Sequence, residues 1–389
     1  MQPHHTPTGS VSVRQGNLSR MLRIVHRSNG LSRANLTSLL GLNRSTTADL
    51  VAELVRADLV VEDTPRESGR VGRPSPMVRP STRPVAIAVN PEIDALTIAV
   101  VGLGGRVLSR TRRVMKTVPT PTAAIALISD VVGGLVTDLA SKHRVVGMGV
   151  AVPGLVRPSD GFVPLAPHLL WRDLPLAAML EKATAMPVVA ANDAHLGCLA
   201  ESAFGVGRGV DHLVYLNGGA SGIGGGVFAG GVPLTGLDGY AGEFGHSSVR
   251  TGGAECHCGA RGCLETEVRR QPLLYLLGLD EARADELDAQ LAASADRVVL
   301  DEVHRQLEFL SIALRNAINI LNPQLVILGG FLGALYAREP RFLEALVSTA
   351  LDAPRAGARI EVAGLGADIL LIGAAELAFE SMLADPASR

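Results

Sequence analysis

Four side chains able to hold a metal ion fall within eighteen residues: His246, Cys256, Cys258 and Cys263, which include three of the only four cysteines in the chain. Nine residues separate His246 from Cys256, one separates Cys256 from Cys258, and four separate Cys258 from Cys263. This is not the spacing of an ordinary zinc finger. One imidazole and three thiolates nonetheless make up the ligand set of a structural zinc site, and chelation would pin a loop with few apolar side chains of its own. Two alternatives stand beside this reading: His257 in place of His246 as the nitrogen ligand, or a disulfide with incidental surface thiols. Carboxylates flank the cluster, Glu243 before it and Glu265 after it. A metal locking the loop over 243–265 would also position these two acceptors for sugar hydroxyls.

A second group of chemically capable residues lies upstream. Pro187-Val188-Val189-Ala190 reads as a short strand ending at Asn192-Asp193, and strand ends in repeated α/β arrangements are where ligand contacts concentrate. Cys198, on the helix expected next, is most simply a buried thiol. The strand His212–Leu216 runs into Asn217 and a segment with five glycines between Gly218 and Gly225. Such a loop keeps the backbone thin and its amides exposed, as a phosphate or a closely packed sugar ring requires, although glycines also serve tight turns.

The elements that must position these residues follow from composition and periodicity. At 389 residues, with 47% hydrophobic but only 3% aromatic content, the chain fits two or three α/β domains with small, closely packed side chains. Strands are expected at 85–89, 96–101, 145–150 and 325–328, with a turn at Gly104-Gly105 and helices at 122–140, 176–183 and 300–321. A last strand over 369–372 and a helix from Ala374 would close a body of two lobes with a ligand cleft between them.

The amino-terminal part differs in charge. Residues 1–80 contain eleven arginines and no lysine against six acidic residues, whereas the remainder has 25 basic and 32 acidic residues. A basic module on an acidic body points to nucleic acid. After an expected disordered arm (1–13), residues 14–80 read as a winged helix-turn-helix. Leu18, Met21, Leu22 and Val25 form one helical stripe, and Leu36, Leu39 and Leu40 form a second, capped by Ser32 and broken at Gly41. Leu50, Val51, Leu54 and Val55 form a third. The third helix would present Arg44, Ser45, Thr46 and Thr47 to DNA. A wing would start at Leu59–Glu62, turn through a segment containing Arg70 and Arg73, and return at Met77-Val78. The competing reading is a three-helix oligomerisation module with a charged linker. No membrane span is expected, no export signal is visible, and the grouped cysteines suit a reducing compartment, so the cytoplasm is expected.

Along nearly its whole length the chain resembles the ROK family (repressor, open reading frame, kinase) of bacterial sugar-responsive repressors and sugar kinases. The resemblance rests on WRDLPL at Trp171–Leu176, Asn192-Asp193-Ala194, the glycine segment, AGEFGH at Ala241–His246, CHCGARGCLE at Cys256–Glu265 and NPQLVILGG at Asn322–Gly330. It implies a two-lobed, actin-like (ribonuclease H-like) ATPase fold over 81–389. It also implies zinc on His246, Cys256, Cys258 and Cys263, and a sugar surrounded by Asn192, Asp193, Glu243, His246 and Glu265. Asp193 matches the aspartate that deprotonates the acceptor hydroxyl in the family's kinases. Those kinases open the body with Asp-x-Gly-Gly-Thr, and here Asn90, Pro91, Glu92, Ile93 and Asp94 occupy that site. Two carboxylates beside a triphosphate would repel it, since unit charges 4 Å apart interact by about 4 kcal/mol at an effective dielectric near 20. Phosphoryl transfer depends on positioning and charge neutralisation. The expectation is therefore a non-enzymatic regulator that binds a two-fold operator as a homodimer or dimer of dimers and senses a monosaccharide or sugar phosphate. The alternative is a bifunctional ATP-dependent sugar kinase and regulator.

Overall fold

The computed structural model describes residues 9–63 and 75–387. The amino-terminal module packs three helices, α1 (Gly9–Ser28), α2 (Arg33–Leu40) and α3 (Arg44–Arg56), on a small sheet of β1 (Leu31–Ser32), β2 (Val60–Asp63) and β3 (Met77–Pro80) in the order β1-β3-β2. Local chemistry sets the helix ends. The Ser32 side chain accepts from the Asn35 amide at the start of α2, and Gly41 closes α2 in the left-handed conformation at φ 65°. The Asn43 side chain caps α3 by accepting from the Thr46 amide, an arrangement that satisfies a helix donor otherwise left orphaned. Two expectations need correction. No proline interrupts the chain between Pro7 and Ser28, and α1 begins at Gly9, inside the segment read as an arm. Leu39 is exposed, and Leu36 and Leu40 alone carry the buried face of α2. Residues 1–8 of the expected arm and the expected wing arginines Arg70 and Arg73 lie outside the described residues.

The body repeats one sheet twice. In the first lobe, β4 (Pro84–Pro91), β5 (Ala95–Gly102) and β6 (Arg106–Val114) form an antiparallel meander. β7 (Arg144–Val152) pairs parallel to β4, and a further strand (Val188–Asn192) pairs parallel to β7. Between them the chain makes a three-stranded sheet of β8 (Leu155–Arg157), β9 (Phe162–Ala166) and β10 (Trp171–Leu174), so Val188–Asn192 is β11. In the second lobe, β12 (Leu213–Gly219), β13 (Gly222–Ala229) and β14 (Val232–Pro233) form the meander, with β15 (Leu325–Gly330) parallel to β12 and β16 (Arg359–Val362) parallel to β15. The strand orders, β11-β7-β4-β5-β6 and β14-β13-β12-β15-β16, are the same. This is the two-lobed kinase-type architecture.

Helices α4 (Pro121–Leu139) and α5 (Leu176–Thr184) cover the outer face of the first sheet. Among the described residues, α4 is the one helix long and apolar enough to cross a membrane by length and composition. It packs Ala124, Ile125, Ile128 and Val132 into the first lobe and carries Asp130 and Asp138. The inner face is covered by the C-terminal helix Ile369–Ala384, and α6 (Asp193–Phe204) lies between that helix and the second sheet. The expected strand 369–372 is the start of that helix, because an apolar run buried on all sides carries no period that separates strand from helix.

The C-terminal helix also docks the amino-terminal module. Gln15 donates to Asp385, Ser19 to the Leu383 carbonyl, and Arg23 holds Glu380 through both terminal nitrogens. At the centre, fully buried His26 places Nε2 2.7 Å from Glu376. The Gly104 amide donates to Nδ1 of the same ring at 2.9 Å. A ring nitrogen that accepts cannot carry the proton, so Nε2–H donates to Glu376.

Close backbone approach makes this packing possible. A Cβ on Gly149 of β7 would sit 1.8 Å from the Ala374 carbonyl oxygen, and one on Gly373 would sit 2.1 Å from the Leu196 carbonyl oxygen of α6. Gly149→Ala should therefore destabilise the protein by about 1–3 kcal/mol. Gly133→Ala in α4, where nothing lies within 4 Å of the added carbon, should gain about 0.5–1 kcal/mol. Urea unfolding midpoints of the two variants check the pair.

Candidate functional site

The cleft between the lobes has a volume of about 320 Å³ and collects residues from both sheets and the cysteine-rich loop. Asn192 ends β11 and caps α6. Its Oδ1 accepts from the His195 amide and its Nδ2 donates to the Gly154 carbonyl, each at 3.0 Å. Asp193, the first residue of α6, accepts from the Ala194 amide at 2.8 Å. Opposite stand Glu243, His246 and Glu265. The structure thus brings together all five residues expected to surround a ligand.

The glycine segment behaves differently from the expected open loop. Gly219 and Gly222 pair across a two-residue turn, and Gly222–Gly226 belong to β13. Added Cβ atoms on Gly224, Gly225 and Gly226 would lie 2.5–2.6 Å from Ala194, Phe244 and Cys198. These glycines let α6 and the loop carrying Glu243 lie directly on the hairpin. Gly222, at φ +115°, leaves room for the Glu265 carboxylate. Cys198 is buried against this hairpin, as expected, and burial raises its thiol pKa far above the ordinary value.

The four expected metal ligands converge. His246 Nδ1 lies 3.5 Å from Cys256 Sγ, Cys258 Sγ lies 3.7 Å from Cys263 Sγ, and one ligand atom from each of the four falls within 4.8 Å of every other. A tetrahedral ion with metal–sulfur bonds of about 2.3 Å requires ligand separations of about 3.8 Å, so the set fits. A second set, His246, Cys256, His257 and Glu265, meets the same distance criterion, with His257 Nε2 3.1 Å and Cys256 Sγ 3.0 Å from a Glu265 oxygen. The loop can hold a metal ion, and Glu265 sits at the junction between metal cluster and cleft.

Carboxylates dominate the electrostatics of the cleft. Burial pushes Asp193 up to about 7, with Glu92 and Glu243 raising it further against the Ala194 hydrogen bond. Glu243 is raised by burial and by Glu265, and Glu92 by burial and by Asp94. Sequence reasoning had placed Glu92 only at a missing phosphate loop. It missed His168, which lines the cleft from the turn between β9 and β10 and whose Nε2 is buried without a hydrogen-bond partner. Burial and the neighbouring His257 hold this imidazole below its usual range. The signal available was its place three residues before Trp171, whose Nε1 anchors this excursion to the Pro119 carbonyl.

The sequence model of the ROK family matches residues 87–381. The xylose repressor of Caldicellulosiruptor bescii is 27% identical over 96% of this chain and 98% of its own length. A crystal structure of a ROK family transcriptional regulator, a homologue of the E. coli MLC protein, superimposes with a TM-score of 0.77 at 25% identity, covering 96% of this chain and 97% of that one. A ROK family glucokinase from Streptomyces griseus, in complex with glucose and AMPPNP, gives a TM-score of 0.65 at 27% identity, covering 76% of this chain and 99% of the kinase.

Asp193 also provides a pH signature. A carboxyl raised in the folded state binds its proton more tightly there than in the unfolded chain, so its penalty to folding builds from the ordinary value of 3.8 and is complete above about 7. Asp193→Asn should stabilise the ligand-free protein by about 1–3 kcal/mol at pH 8, and the gain should shrink toward pH 5. Denaturant titrations at the two pH values check this.

Proposed function

The chain belongs to the ROK family, and we propose that it is a sugar-responsive transcriptional regulator, most simply a repressor, whose kinase-type body serves as the sensor. The observation that carries this reading is coverage. A repressor and a regulator match 96% of the chain, including the winged module, whereas a kinase of the same family matches 76% of it and is itself 99% covered. The part that a kinase lacks is the part that would bind DNA.

In this reading a dimer, or a dimer of dimers, places two copies of α3 on a two-fold operator. Arg44, Ser45, Thr46 and Thr47 start that helix. Asn43 also accepts from the Ser45 hydroxyl, and Thr47 is buried and bonded to the Asn43 carbonyl. Arg44 and Thr46 are therefore the freer pair for DNA, with Thr47 holding the helix start. Arg70 and Arg73 supply backbone or minor-groove contacts. Asn192, Asp193, Glu243, His246 and Glu265 hydrogen-bond a monosaccharide, and Asp193 is a ligand acceptor with no phosphate to transfer to. Zinc on His246, Cys256, Cys258 and Cys263 supplies a rigid cross-link, fixing the loop so that Glu243 and Glu265 face the cleft.

The turn between β4 and β5 supports reading the body as a sensor without kinase activity. The turn closes through the Glu92 amide and the Ala95 carbonyl at 2.8 Å, none of residues 92–94 adopts a left-handed conformation, and Ile93 packs on the first lobe's core. Side chains fill the place where a glycine turn would wrap phosphates. A coupled assay with a sugar that binds should show ATP consumption at background. Turnover lost in Asp193→Asn would favour the bifunctional alternative.

Two further outcomes test the proposal. Retention of a fragment from the gene's own upstream region should weaken about tenfold or more in Arg44→Ala, with less effect on unrelated DNA; absence of retention at low salt counts against the regulator reading. Elemental analysis should give one zinc per chain, and Cys258→Ser should lose the metal and weaken sugar binding.

A further inference from the structure

We infer that Glu92 restricts the cleft to uncharged sugars and rejects their phosphate esters. This rests on the sugar-sensor reading above and names the ligand class within it. The turn between β4 and β5 carries three side chains with three different fates. Ile93 is packed on the lobe core, and Asp94 is paired with Arg112 of β6 at 2.8 Å. Glu92 lines the cleft, and its carboxylate has no hydrogen-bond or ion-pair partner among the described residues. One acidic side chain of the turn is thus neutralised on the outer strand, and the other is left part-buried and unpaired toward the ligand.

The rest of the cleft does not offset that charge. Asp193, Glu243 and Glu265 also line it, and among the described residues no lysine or arginine does. A divalent ion on three thiolates would itself leave a net charge of −1. The guanidiniums whose charge reaches Glu92 are each paired elsewhere: Arg112 with Asp94, Arg110 with Asp368, and Arg270, in an adjoining cavity, with Glu281. Hydroxyl groups donate to unpaired carboxylates at little electrostatic cost, whereas a phosphate dianion entering here meets like charge on partly buried groups. Glu92 therefore has two functions: it accepts from a sugar hydroxyl, and it repels a phosphate.

The test titrates the full-length protein with D-glucose, D-xylose, glucose 6-phosphate and xylose 5-phosphate by calorimetry and thermal shift at pH 8. The wild type should bind the preferred free sugar at least about 30-fold more tightly than its ester, equivalent to about 2 kcal/mol. Glu92→Gln keeps an acceptor of the same shape and should narrow the sugar-to-ester ratio about tenfold, both affinities being measured on the variant. Asp94→Asn should leave the ratio unchanged. Glu92→Ala, with its ligand-free melting temperature measured alongside, provides a second variant should the glutamine form fold poorly. Esters bound as tightly as free sugars by the wild type, or a ratio unmoved in both Glu92 variants, would overturn the inference. A wild type that binds none of the four ligands would remove the sugar reading itself, and this inference with it.

Discussion

The C-terminal helix Ile369–Ala384 lies at carbonyl distance from two other elements, and the arrangement of the whole molecule depends on that approach. Gly149 admits it to the first sheet and Gly373 admits it to α6. Its first turn places Leu370 on the cleft, and its last two turns hold α1 through Glu376, Glu380 and the Leu383 carbonyl. Sixteen residues at about 1.5 Å each span about 24 Å, so one rigid element touches both the cleft and the amino-terminal module. α6 runs beside it, from Asp193 at the cleft to Phe204, whose ring meets His26 edge-on at 5.2 Å. Close-packed interiors shift between discrete arrangements and do not deform continuously, and two parallel helices joining the sites are the physical route by which lobe closure would reorient α1.

The buried His26–Glu376 pair fits this role better than that of a stability device. Desolvating such a pair offsets much of its attraction, and its retention is weak evidence for stability. Here the ring also accepts the Gly104 amide and lies between Phe204 and Phe379. One side chain of the amino-terminal module thus reports on the first lobe, on α6 and on the C-terminal helix together.

Much of this was legible in the sequence where side-chain chemistry is local. Ser32, Gly41 and Asn43 mark the helix ends of the amino-terminal module because caps and left-handed closures are set within four residues. The cysteine spacing marked the metal cluster, and Asn192-Asp193 marked the floor of the cleft. Long-range features were hidden. The glycines of β13 resemble a phosphate loop until Ala194, Phe244 and Cys198 are seen against them. His168 enters the cleft through an excursion whose path depends on the Trp171 anchor. The start of the C-terminal helix was read as a strand because its burial by three different elements erases any period.

The account's central claim is thermodynamic coupling between sugar and operator. Linkage requires that each ligand change the other's affinity by the same factor. The most direct measurement is the affinity of the bound sugar for free protein and for the protein–operator complex under the same conditions. A sugar that releases DNA should bind the complex roughly 5- to 150-fold more weakly, with the reciprocal loss of operator affinity at saturating sugar. Equal sugar affinity with and without operator would contradict the account.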